Sequence, residues 1–97
     1  MNYTQSINSM PVTLVEFYAT WCSHCRNMMP VVAQVKEQLD GKAARGQIDV
    51  DKNQETADNA GVEVYPTFIL YKDGKEVWRN RGEISGKDLL AEITSRL

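Results

Sequence analysis

The chain has 97 residues, 42% of them hydrophobic and 25% charged, with a net charge of −2, two cysteines and one histidine. That is the size of one domain spanning residues 1–97 with one core, and it holds far too little cysteine for a scaffold built on a disulfide framework. The slight acidity argues against a nucleic-acid-binding domain, where a basic face is expected, and no stretch approaches the roughly 18 consecutive apolar residues of a membrane-spanning helix.

Residues 1–15 carry no charged side chain, and Glu16 is the first. The opening MNYTQSINSMPV has neither the positive start nor the apolar run of a secretory signal. The sequence as given therefore points to the cytoplasm, with a periplasmic or secreted location open to a chain whose leader has been removed. The first clear element is Thr13–Ala19 (TLVEFYA), rich in β-branched and aromatic residues and almost continuously apolar. Such a run reads as a strand buried on both faces. It ends in Thr20-Trp21-Cys22-Ser23-His24-Cys25, after which Met28, Val32, Val35 and Leu39 fall on one helical stripe. Gly41 is the natural stop, and Pro30 inside the stripe predicts a bend one turn past the cysteines.

A second strand is expected around Gly46–Val50. The stretch 49–63 holds Asp49, Asp51, Glu55, Asp58 and Glu63 against one Lys52, which reads as a solvated helix face, with Gln54–Ala60 as the helix. Thr67–Tyr71 and Lys75–Arg81 flank Asp73-Gly74, a hairpin signal because a type I′ turn needs positive φ. Trp78 in the last strand reads as packing. Ser85 with Asp88 three residues on resembles a capping box, and Leu89, Leu90, Ile93 and Leu97 form the apolar face of a closing helix. The order is β-α-β-α-β-β-α, an α/β sheet with helices on both faces.

Cys22 and Cys25 sit at a strand end, a two-residue spacer and a helix start. Three chemistries compete for the pair. A structural zinc needs four N or S ligands, and the chain offers two Cys plus His24, which is poorly placed between them. A structural disulfide closing so small a ring removes only about 2 kcal/mol of unfolded-chain entropy, against about 3 for a 15-residue loop. A redox dithiol suits the position, because a helix N-terminus presents unpaired N–H groups and a partial positive charge that favour a thiolate. Lowering a thiol pKa from ~8.5 to ~7 raises its ionised fraction at neutral pH but lowers its nucleophilicity, for a net gain in attack rate of only ~3-fold. The larger consequence is a better leaving group and a stabilised reduced form, which sets the potential.

The run Val15-Glu16-Phe17-Tyr18-Ala19-Thr20-Trp21-Cys22-Ser23-His24-Cys25, followed by Tyr65-Pro66-Thr67, Asp73-Gly74 and Gly82, resembles the thioredoxin superfamily. The resemblance covers Thr13 to the C-terminus. It implies a thioredoxin fold with a central mixed sheet of four or five strands, helices on both faces and a shortened N-terminal element. Only twenty-one residues precede the first cysteine, room for a short helix or an edge strand but not both at full length.

By the same resemblance Cys22 is the nucleophile, Cys25 the resolving thiol and Pro66 a cis-proline facing them, so that residue 65 can pair with an extended substrate as an added strand. Trp21 reads as a lid on the active-site surface, and Gly82 as part of the substrate-binding rim. The spacer Ser23-His24, the strand VEFYA and Tyr65 before Pro66 look more like protein disulfide isomerase domains than bacterial thioredoxins. Glu16, a carboxyl within an apolar strand, is expected to be desolvated and to take the proton from Cys25 during resolution. His24, as an imidazolium, is expected to stabilise reduced Cys22 and, with Ser23, to tune the couple to about −250 to −180 mV.

The expected activity is that of a thiol–disulfide oxidoreductase, most simply a thioredoxin-type reductase of protein disulfides. An oxidase or isomerase in an oxidising compartment is the alternative, and a redox-silent peptide-binding module the rival of another class. No bound cofactor is expected. Electrons are expected from a partner protein such as a thioredoxin reductase or a membrane redox protein, and the chain is expected to be a monomer.

Overall fold

The structure is a computed structural model that describes residues 3–97; the first two residues of the uncharged opening lie outside the described residues. The apolar run forms β1 (Val12–Tyr18), whose first six residues are buried. It is an inner strand covered on both sides, as its lack of polar alternation demands. β1 pairs in parallel with β2 (Ala44–Asp49) and antiparallel with β3 (Thr67–Lys72), and β3 pairs antiparallel with β4 (Lys75–Arg81). The order across this mixed four-stranded sheet is β2-β1-β3-β4. The helices are α1 (Tyr3–Ile7), α2 (Ser23–Gln38), α3 (Gln54–Asn59) and α4 (Gly86–Thr94).

Strand alternation divides the core in two. Leu14, Phe68 and Leu70 meet Met28, Val35 and Leu39 of the α2 side and Leu89 and Ile93 of α4. Val15, Phe17, Ile69 and Tyr71 meet Ala57 of α3 on the other face, with Tyr3 and Ile7 of α1 packed against them. The parallel β1–β2 pair needs a crossover, which α2 supplies. Because α2 starts directly after β1, the two cysteines come to lie at one end of the sheet.

The hairpin turn has positive φ at both Asp73 (52°) and Gly74 (81°), as a type I′ turn requires. Trp78 packs, half-buried, against the α2/α4 core. Helix α2 runs on through Pro30, which stands on its exposed face, to Gln38.

Several boundaries differ from those expected. β1 begins and ends one residue early, at Val12 and Tyr18. β2 begins at Ala44 rather than Gly46 and ends at Asp49, because pairing with Thr13 and Leu14 of β1 extends it backward through Arg45. Among the described residues the N-terminal segment is the short helix α1 rather than an edge strand, so no fifth strand joins the sheet. Leu97 does not share the apolar face of α4: the helix ends at Thr94 and Leu97 is 52% exposed. Nothing beyond Ile93 carries that face back onto the sheet.

The start of α4 is held by Ser85, whose hydroxyl accepts a hydrogen bond from the Asp88 N–H at 3.1 Å. Half of the capping box is thus in place. Ser85→Ala will cost about 1 kcal/mol, read as a lowered urea midpoint at unchanged slope; an unchanged midpoint would show that the cap contributes nothing.

Candidate active site

The turn out of β1 brings the Cys22 N–H onto the Ala19 carbonyl at 3.2 Å. Cys22 is the N-cap of α2, in extended backbone conformation. Its sulfur takes the place an Asn or Ser oxygen occupies in an ordinary cap, accepting from the Cys25 N–H at 3.3 Å. A backbone donor aimed at sulfur from the positive end of a sixteen-residue helix favours negative charge on that atom. Both cysteines are free thiols and both are buried.

Against Cys22 stands the loop entering β3. Its Tyr65–Pro66 bond is cis, and the Tyr65 carbonyl accepts a weak hydrogen bond from the Cys22 thiol, 3.4 Å from the sulfur. This loop is fixed from behind. The Gly82 N–H donates to the Pro66 carbonyl at 2.7 Å, and the Asn80 side chain donates to the Gly82 carbonyl at 3.0 Å. Gly82 has φ of +97°, a conformation a side chain would strain. The Thr67 hydroxyl closes the loop onto the Val64 carbonyl.

Three exposed side chains frame the pair. Trp21, 62% exposed, stands edge-on to Tyr65 with ring centroids 5.9 Å apart. Its indole N–H donates to Asp51 at 2.8 Å. His24 projects to the other side, its Nδ1 2.6 Å from the Glu83 carboxylate. Ser23, the first residue of α2, is exposed.

Beneath the pair lies Glu16, 4% exposed, its carboxylate accepting from the Gln47 amide at 2.9 Å. Burial raises the Glu16 pKa, and the hydrogen bond from Gln47 offsets part of that rise. Glu16 also lines a groove of about 260 Å³ between α2 and β2, with the exposed Lys36 and Arg45 also on its lining. The Cys25 thiol is pushed up to about 12, first by burial, then by its hydrogen bond with the Cys22 sulfur; a backbone hydrogen bond from Ala19 pulls it partly back. The charges of Cys22 and Glu16 add to the rise, so Glu16 is close enough to sense the Cys25 proton.

The residues singled out from the sequence therefore meet at one end of the sheet: Trp21, Ser23, His24, Tyr65 and Gly82 toward the surface, Cys22, Cys25 and Pro66 buried just behind them, and Glu16 below. Three others went unread. Asp51 belongs to the stretch taken as a solvated face, and Glu83 and Asn27 carry no motif. Only Glu83's position directly after Gly82 hinted at it. Among the described residues, no group of three or more His, Cys, Asp or Glu is placed to hold a metal ion, and no helix is long and apolar enough to cross a membrane.

A family model described as Thioredoxin matches residues 1–95. Chloroplastic thioredoxin Y1 of Arabidopsis thaliana is 38% identical over 91 residues, which are 94% of this chain and 53% of that protein. The chain thus spans about half the length of the plant relatives it matches. A thioredoxin of Staphylococcus haemolyticus is 39% identical over 95 residues, 98% of this chain and 89% of the relative. Among solved structures, a point mutant of thioredoxin from Halobacterium salinarum superposes with a TM-score of 0.88 at 38% identity, covering 96% of this chain and 80% of the other. Oxidised mitochondrial thioredoxin 3 of Saccharomyces cerevisiae also gives 0.88, at 27% identity, covering 96% and 86%.

Proposed function

Because this chain belongs to the thioredoxin family, we propose that it is a thiol–disulfide oxidoreductase that reduces protein disulfides with Cys22 and Cys25. The observation that carries the reading is the Cys22 sulfur at the N-cap of α2, facing the Cys25 N–H on one side and the Tyr65 carbonyl on the other. A thiol is held there where its thiolate gains a donor and where a substrate chain can lie alongside.

The sequence of steps follows from that placement. The Cys22 thiolate attacks one sulfur of the substrate disulfide; that S–S bond breaks, and the first substrate sulfur leaves as a thiolate and takes up a proton. Cys22 is now in a mixed disulfide. Its negative charge is gone, but the burial of Cys25 remains, so Cys25 still needs a base. Glu16 takes that proton, the Cys25 thiolate attacks the Cys22 sulfur, and the second substrate sulfur departs. Two electrons have passed from the dithiol to the substrate, leaving a Cys22–Cys25 disulfide. A donor protein such as a thioredoxin reductase returns the chain to the dithiol. This direction of flow belongs to a reducing compartment.

Docking falls to the surface around the pair. Trp21 and Val64 are exposed, and Tyr65 stands half-exposed beside the sulfur. An extended substrate segment laid along residues 64–65 would place its disulfide over Cys22, with the Trp21 ring, steadied by Asp51, covering one flank. Reduction of insulin by dithiothreitol tests the reading: the protein accelerates precipitation of the insulin B chain. Binding of a peptide without acceleration would favour the redox-silent module instead.

A further inference from the structure

We propose that Glu83 sets the redox poise of the dithiol by holding the His24 imidazole and cancelling its charge beside Cys22, a positioning role that rests on the oxidoreductase reading above. His24 is the second residue of α2 and Asn27 lies one turn further along the same face. Both reach one oxygen of Glu83, His24 Nδ1 at 2.6 Å and the Asn27 amide at 3.3 Å. Glu83 in turn follows Gly82, whose N–H is anchored to the Pro66 carbonyl. The clamp therefore ties the start of α2 to the loop that faces Cys22, across 59 residues of sequence for His24. A rotating surface imidazole would have no such tether.

The charge arithmetic gives the clamp a consequence. Reduction of the disulfide can place a negative charge on Cys22, and oxidation removes it. A cation nearby favours the reduced form and makes the couple more oxidising; an anion does the reverse. An unpaired imidazolium in the spacer would act in the first sense. Glu83 is a carboxylate held as an anion by its two donors, since the hydrogen bonds from His24 and then Asn27 keep its pKa below the usual range. Joined to the ring at 2.6 Å, it pairs any charge the ring carries with one of opposite sign, a dipole whose field falls off faster than that of a lone charge. The hydrogen bond also commits Nδ1 to residue 83, leaving Nε2 as the only ring nitrogen free to act elsewhere. With Glu83 in place the Ser-His spacer behaves nearly as an uncharged one, and the chain keeps a reducing couple despite its isomerase-like spacer.

The test is the equilibrium of wild type, Glu83→Gln, His24→Gln and the double variant with glutathione buffers at neutral pH. Glu83→Gln keeps an oxygen to accept from the ring but removes the charge. It will shift the equilibrium toward the dithiol by roughly three- to tenfold, the scale of one unit charge acting through partly hydrated protein. His24→Gln leaves the Glu83 carboxylate unpaired and will move the equilibrium the other way, toward the disulfide, and it will reverse most of the shift in the Glu83→Gln background. Glu83→Ala, which removes the hydrogen bond as well, will shift it in the same direction as Glu83→Gln. An equilibrium unchanged in both Glu83 variants, or a His24→Gln shift in the same direction as that of Glu83→Gln, would overturn the proposal. A wild type that shows no glutathione-dependent equilibrium at all would instead overturn the oxidoreductase reading on which it rests.

Discussion

Cys22→Ser will reduce insulin no faster than dithiothreitol alone, whereas Cys25→Ser, with no dithiothreitol present, will open one substrate disulfide per chain and stop at the adduct. The asymmetry follows from where the sulfurs stand. Cys22 caps α2 and meets the Tyr65 carbonyl at the edge of the site, and Cys25 lies one helical turn inward with its thiol pushed up to about 12. A serine hydroxyl at position 22 offers no comparable nucleophile at neutral pH. A serine at position 25 leaves the first attack intact but removes the thiol that releases the substrate. Non-reducing electrophoresis of Cys25→Ser with a disulfide-bearing protein will show a covalent adduct that dithiothreitol cleaves, and the same experiment with Cys22→Ser will show none. An adduct formed through Cys25 in the Cys22→Ser chain would reverse the assignment.

Glu16→Gln will slow release of the second substrate thiol and, at the same time, stabilise the fold. A thiol whose pKa is held so far above neutral pH is almost wholly protonated, so a base will speed resolution. In the mixed disulfide Cys22 no longer contributes to that rise, but burial, the first cause, persists. Removing a positioned base costs on the order of 10²-fold or more, read in a single-turnover measurement of resolution near neutral pH. An unchanged rate would remove Glu16 from the mechanism. The stability change has the opposite sign. Burial holds the Glu16 carboxyl above its ordinary value of about 4.3, so the folded chain binds that proton more tightly than the unfolded one. Its contribution is fully present below the unfolded value and is lost as pH rises through the raised folded value. Glutamine, which keeps the oxygen that accepts from Gln47 and never ionises, escapes that loss. The variant will therefore unfold at higher urea than wild type at neutral pH, and the gap will close toward pH 4.

How much of this was readable from the residues depends on whether a feature is local. The cysteine pair was legible because strand, spacer and helix start are contiguous in Tyr18–Met28. The burial of Glu16 was legible because its neighbours Val15 and Phe17 leave an apolar strand no solvated face. The turn at Asp73-Gly74 was legible because its backbone demands glycine. Pro66 could be placed opposite the cysteines only through family resemblance, since nothing near it in sequence mentions residue 22. Asp51 and Glu83 were missed for the same reason: their partners Trp21 and His24 lie 30 and 59 residues away, and a single carboxylate in a loop reads as solvated. The helix-or-strand choice before Val12 had no charge pattern to decide it. At the other terminus, apolar spacing carried Leu97 into a helix that ends at Thr94, just past its last buried residue Ile93, leaving Leu97 exposed beyond it.

The most direct measurement of the dithiol couple is the glutathione titration of the wild-type chain, followed by thiol labelling and mass. A single two-electron transition is expected, in which Cys22 and Cys25 lose their thiols together and form one bond, with a midpoint toward the reducing end of the span from about −270 to about −180 mV. Two thiols that stay reduced across the whole range, or that couple separately to glutathione without joining each other, would contradict it.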